Sequence, residues 1–210
     1  GTAHNGIFIS FEGGEGSGKT TIIERIATYF KDKYQVIISR EPGGSFIAES
    51  IRDLVLDPKH LGMSYQAEAL LYAASRAQHL EDVLIPAMET HDLILCDRYI
   101  DSSFAYQGLA RGLGLEYVEK INDYAMQHLP LKTFYIDVSP EVGLSRIKDR
   151  EKFDRLDQEK SSFHDLVRQA YLDIASVYQH RIIVIDGHQS IDSITSEIIH
   201  HIEGLFNDAN

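Results

Sequence analysis

Cysteine is nearly absent: the 210 residues hold one, Cys96, inside the apolar run "LILC". That excludes a disulfide within the chain and any thiolate zinc cluster. Long apolar runs are missing as well. Nothing approaches the roughly 18 continuous apolar residues of a membrane-spanning helix. The opening "GTAHNG" has neither the charged nor the apolar region of a signal peptide. Residues 1–5 are expected to be a disordered start or a tag remnant, and a reducing cytoplasm is the expected compartment. Positive charge is also scarce. Lys and Arg total 20 against 32 Asp and Glu, a formal net charge of −12. A broad nucleic-acid or anionic-membrane surface needs a basic footprint, so neither partner is expected. Any local basic cluster is the more informative for it.

The chain shows no internal repeat, no low-complexity tract and no linker, so residues 1–210 are read as one domain. Short β-rich runs alternate with longer helical patterns. "GIFISF" (6–11), "QVIIS" (35–39), "DLILCD" (92–97), "KTFYIDV" (132–138) and "RIIVID" (181–186) read as strands. Their near-continuous apolar character suits parallel strands covered on both faces. Helical patterns fall near 18–32, 46–56, 65–90, 115–128, 140–150, 160–179 and 191–206. The alternation predicts an open α/β sheet with right-handed crossovers.

"GGEGSGKT" (13–20) fits G-x-x-x-x-G-K-[ST], with a strand before it and a helix after it. Glycines let successive backbone N–H groups turn toward one anion, and the helix start adds its positive end. Gly13, Gly14, Glu15, Gly16, Ser17, Gly18, Lys19, Thr20 and Thr21 are therefore expected at ATP. Lys19 would reach the β- and γ-phosphates, and the Thr20 hydroxyl would ligate Mg²⁺. A guanine-reading GTPase needs Asn-Lys-x-Asp, and the chain has no Asn-Lys pair. A small-molecule kinase is the simplest reading of a P-loop protein this small.

Other signals sit where an α/β sheet binds ligands, beyond the carboxyl ends of its strands. "ISREPGG" (38–44) brings Arg40 and Glu41 off the second strand, and Asp97-Arg98 ends the third. Such an acid resembles the Mg²⁺-associated carboxylate of P-loop enzymes, and the arginine could grip a phosphate. An ordinary turn and an internal ion pair are the alternatives. Tyr72 and Arg76 share a helix face and would suit a nucleobase, although such pairs also occur as surface packing. "RIKDREKFDR" (146–155) has five basic residues. It is either a solvated face or a segment that closes over ATP, supplying the cations a phosphoryl transfer needs. His128, His188, His200 and His201 show no metal-ligand spacing.

Taken together, "FEGGEGSGKTT", "REPGG", "YAASRAQH", "CDRYIDSSFAYQG" and "DRLDQE" resemble the bacterial type of thymidylate (dTMP) kinase, in that family's order. The resemblance implies a three-layer P-loop NTPase fold: a five-stranded parallel sheet flanked by helices, with a mobile lid at about 146–158. It implies transfer of the γ-phosphoryl of ATP to dTMP with Mg²⁺, in dTTP biosynthesis, by a homodimer. At matching positions Glu12 would hold the region of the sugar 3′-hydroxyl. Arg40, Arg52 and Arg98 would surround the dTMP phosphate. Tyr72 would stack on thymine, where phenylalanine is common, and Arg76 would address a base carbonyl. Ser102, Ser103 and Gln107 would line the base pocket, with Gln107 reading the base edge, and Tyr106 would crowd the sugar. The P-loop has no arginine, which implies the subtype with a basic lid: Arg150 and Arg146 near ATP, Arg155 behind. Glu41 and Asp97 are candidates for metal-bound waters. Lys19, Arg98, Arg150 and Glu15 are the expected catalytic set.

Overall fold

Each of the apolar runs becomes a strand, and each strand ends on a charged residue. In the computed structural model, which describes residues 5–147 and 161–209, β1 is Ile7–Glu12, β2 Val36–Arg40, β3 Leu93–Asp97, β4 Lys132–Asp137 and β5 Ile182–Asp186. All pairs are parallel, in the order β2-β3-β1-β4-β5. Ile9 lies beside Leu95, and Phe11 beside Asp97. The parallel sheet therefore gathers Glu12, Arg40, Asp97, Asp137 and Asp186 along one edge.

Alternation along the strands feeds two cores. Ile9, Phe11, Leu93 and Leu95 face α1 (Lys19–Phe30) and α10 (Ile191–Ala209), meeting Ile22, Ile26, Ile198 and Ile202. Phe8, Ile94 and Cys96 face the opposite core, with Leu80, Leu84, Phe104 and Tyr171. That side is covered by α3 (Tyr65–His79), α4 (Ile85–Thr90), α5 (Ile100–Ser103), α6 (Leu115–Ile121), α7 (Asp123–Met126) and α9 (Ser161–Val177). At the rims, α2 (Phe46–Leu56) packs on α3, and α8 (Pro140–Ile147) follows β4.

Three local departures from the sequence reading have physical causes. The helix expected over 65–90 runs through a π-helical turn, Leu80–Leu84, before α4. Pro86 cannot donate an N–H and crowds the carbonyl of Asp82, and a wider turn relieves both. The helix expected over 115–128 breaks at Asn122, which is buried and bonded to Arg76. The stretch after β3 carried no helical expectation because serines and glycine weaken its pattern. It forms α5 and a π-helical run, Phe104–Ala110. Of the expected lid, Arg146 and Ile147 are described, while Arg150 and Arg155 lie outside the described residues.

Candidate active site

The loop from β1 into α1 is built on glycine. Gly16 and Gly18 have φ of 78° and 80°, in the left-handed region that side chains resist. A Cβ on Gly16 would also fall 2.2 Å from the carbonyl oxygen of Gly143 in α8. The loop thus closes directly against the helix that leads toward residue 148. Lys19 opens α1 and is buried; its Nζ lies 2.7 Å from Asp97 Oδ1. Burial, and then the neighbouring Arg98 charge, pull its ammonium below the usual lysine range, and Asp97 opposes them. Ser17 is buried and Thr20 is exposed. Thr21 faces outward with Glu24, Arg25 and Thr28, away from the cleft described below.

Arg98 is the one non-glycine residue with positive φ among the described residues, at 72°. This turn swings its guanidinium back beneath the P-loop. It donates to the Gly13 carbonyl at 2.9 Å, Ser102 Oγ at 3.2 Å and the Tyr171 hydroxyl at 3.3 Å. It also lies over the Tyr106 ring. Glu12 is wholly buried beside it. One carboxylate oxygen accepts from Ser102 Oγ at 2.5 Å and Tyr171 at 2.8 Å; the other accepts from the Tyr99 N–H at 2.9 Å. Burial first, and then the Asp101 charge, push the Glu12 carboxyl above its usual range. Ser102 and Tyr171, not Glu12, form the cavity surface there.

A second buried system centres on Arg76. Its Nε donates to Glu41 at 2.7 Å, and its terminal nitrogens donate to Ser103, Asn122 and the Tyr99 carbonyl. The other Glu41 oxygen meets His79 Nδ1 at 2.9 Å, and His79 Nε2 meets Ser39 Oγ. Both Glu41 oxygens therefore have protein partners. His79 also explains the second glycine of "REPGG": a Cβ on Gly44, whose φ is 98°, would fall 2.4 Å from the imidazole.

Two of the three arginines expected at the acceptor phosphate part company. Arg52 lines the cavity, and its buried Nε has no hydrogen-bond partner among the described residues. Arg40 is not part of that lining; it is half-exposed, paired with Glu49 at 2.7 Å and donating to the Pro42 carbonyl at 3.3 Å. Tyr72 and Gln107 are buried along the cavity wall. Gln107 Nε2 donates to Glu68 at 2.8 Å, and Arg111 reaches the same carboxylate at 3.3 Å. Arg146 donates to the Gly16 carbonyl at 2.8 Å, tying α8 to the P-loop.

One cavity collects most of these groups. Its lining joins Gly14 and Glu15 of the P-loop to Arg98 and Ser102, to Arg52, Arg76, Ser103 and Tyr106, and to Tyr72 and Gln107. Arg168 of α9 joins the lining and pairs with Asp137 at 3.0 and 3.1 Å. The sequence reading missed Glu68, His79, Asn122, Arg111, Arg168 and Tyr171. A signal existed for the first two: Glu68, Tyr72, Arg76 and His79 recur at spacings of four, four and three, one face of α3. The others come from distant helices and leave no local pattern.

Comparisons with known proteins agree in kind. A family profile described as thymidylate kinase matches residues 11–198. A thymidylate kinase of Acholeplasma laidlawii is 53% identical over 199 residues, covering 93% of this chain and 98% of that protein. One of Geobacillus thermodenitrificans is 48% identical over 199 residues, covering 93% and 88%. A crystal structure of thymidylate kinase from Ehrlichia chaffeensis superposes with a TM-score of 0.76 at 33% identity, covering 95% of this chain and 99% of that one.

Proposed function

The chain belongs to the thymidylate kinase family, and on that premise we propose how its cleft is divided between two nucleotides. The reaction is transfer of the γ-phosphoryl of ATP to dTMP, giving ADP and dTDP on the way to dTTP. The P-loop end takes ATP: its backbone N–H groups and Lys19 hold the phosphates, with Arg146 and Arg150 as lid cations. The other end takes dTMP, its phosphate between Arg98 and Arg52 and its base against Tyr72, Arg76 and Gln107. The acceptor oxygen is already anionic at neutral pH and attacks in line. What the chain supplies is positioning and charge neutralisation. Glu12 acts on the sugar through the hydroxyls of Ser102 and Tyr171, which it orients.

Magnesium arriving with ATP would meet hard oxygen donors suited to it. These are the exposed Thr20 hydroxyl and the Asp97 carboxylate, partly exposed at the end of β3. The ion would add positive charge at the β- and γ-oxygens. Glu41 lines the same cavity; Arg76 and His79 each take one bond at its oxygens, and the remaining lone pairs would accept from metal-bound water.

The observation that carries the reading is the continuity of one cavity wall from Gly14 and Glu15 to Tyr72 and Gln107. A coupled ADP-release assay with dTMP, dUMP, dCMP, dGMP and thymidine tests it. dTMP should be the best acceptor, and thymidine, lacking the phosphate that the arginines grip, should give background. Flat rates with every acceptor, in a folded sample, would overturn the reading in favour of a nucleotide-binding sensor.

The same reading assigns the outer face of α2 and α3 to a second copy of the chain. Phe46 is 88% exposed, and Ile47, Leu54 and Leu70 are exposed beside it, which is apolar surface suited to burial in a dimer. Light scattering should give the mass of a dimer. The cytoplasm is the proposed compartment, consistent with the lone, buried thiol of Cys96.

A further inference from the structure

Gln107 lines the cavity and Glu68 lies behind it, outside the lining, and the chemistry of this pair is asymmetric. A carboxylate only accepts hydrogen bonds, whereas a primary amide donates at one end and accepts at the other. Gln107 Nε2 donates to Glu68 Oε1 at 2.8 Å, so the amide nitrogen is turned into the protein. The Gln107 carbonyl oxygen must then point the other way. It has no hydrogen bond among the described residues, yet it is not a sealed, unpaired buried atom. Since Gln107 lines the cavity, that oxygen opens onto it.

Glu68 is itself held hard. It is fully buried, and Arg111 approaches both its oxygens at 3.3 Å. The guanidinium lies between the rings of Tyr65 and Phe163, 4.5 and 4.4 Å from their centroids. A buried carboxylate so paired and so walled in has no room to let the amide flip. Arg76 lines the same cavity and can only donate. Its Ser103 partner sits four residues before Gln107.

We propose that Glu68 is a positioning residue that sets which pyrimidine the site accepts, by locking Gln107 with its carbonyl toward the base. The inference rests on the assignment of this part of the cavity to the base of dTMP. The locked pair presents one donor, from Arg76, and one acceptor, from Gln107. A base with a carbonyl at C4 and a proton on N3 complements both. Cytosine carries an amino group and a bare N3 at those places, so a donor meets a donor and an acceptor meets an acceptor. Sites built on hydrogen bonds reject such mismatches far more strongly than apolar pockets reject a methyl group. The site therefore selects thymine and uracil over cytosine through an amide whose orientation is fixed from behind.

The test is the ratio of kcat/KM for dTMP to that for dCMP. Glu68→Gln keeps the shape but can donate or accept, so Gln107 is free to turn. The ratio should fall about tenfold or more, with KM for ATP unchanged. Glu68→Asp remains acceptor-only and should keep the ratio near the wild-type value even if both rates drop. A purely structural role would lower both substrates alike and leave the ratio in place for Glu68→Gln, and that result overturns the proposal. Glu68→Gln strands the Arg111 charge and can fail to fold. The double variant Glu68→Gln/Arg111→Gln removes that charge, and an unchanged ratio there overturns it equally. Wild-type enzyme that does not use dTMP at all would instead refute the assignment of the cavity, so the two failures are distinct.

Discussion

Lys19 Nζ lies 2.7 Å from Asp97 Oδ1: the P-loop lysine is held by the carboxylate that ends the neighbouring strand. The pairing follows from β1 and β3 running side by side in parallel, so that their carboxyl ends coincide. Burial and the Arg98 charge both lower the proton affinity of this amine, and Asp97 counters them. Asp97→Asn should therefore lower it further. The ammonium is needed at the phosphates, so activity should be lost at a lower pH as the solution becomes alkaline. The alkaline limb of kcat/KM for ATP should move down by about one unit, as expected for loss of a close opposite charge. A limb that stays in place in the variant would mean that Asp97 does not tune the lysine.

Arg52 and Arg40 offer a second prediction, because the sequence ranked them equally and the structure does not. Arg52 lines the cavity and has no ion pair among the described residues, while Arg40 is half-exposed and already paired with Glu49. A charge-assisted hydrogen bond made only on binding is worth about 1.5–3 kcal/mol, or roughly 10–100-fold in affinity. Arg52→Ala should raise KM for dTMP by about that factor with little change in KM for ATP. Arg40→Ala should change it by no more than about threefold, as for an exposed ion pair. Steady-state kinetics showing the opposite ranking would place the acceptor phosphate at Arg40.

The sheet and its order of elements were legible because buried parallel strands are continuous apolar runs, and five such runs became β1 to β5. The P-loop was legible because its chemistry is local: Gly16, Gly18 and Lys19 act within one turn of chain. The partners of Glu12 were not legible, since Tyr171 arrives from α9, 159 residues away in sequence. Nor was the pairing of Glu41, because it depends on Arg76 and His79 converging from α3. Motif reading names which side chains matter at a strand end. It does not say which of their atoms other elements have already taken, and at this site that decides which are left for ligand.

Asp101 makes the same point inside "CDRYIDSSFAYQG", where it stands beside Ser102 but points into the core. Arg181 pairs with both its oxygens at 2.7 and 2.8 Å and also donates to Thr133 Oγ1, which meets Ser10 Oγ. The pair is buried, and neither residue lines the cavity. Removing one partner leaves an uncompensated charge in the interior, at a cost of about 3–5 kcal/mol, whereas replacing both by apolar residues costs far less. Arg181→Met should therefore lower the denaturant midpoint sharply, and Arg181→Met/Asp101→Leu should recover most of the loss. If the double variant is as unstable as the single one, the orphaned Asp101 charge is not the cause. Packing around the Arg181 stem, against Tyr178, would then account for the loss.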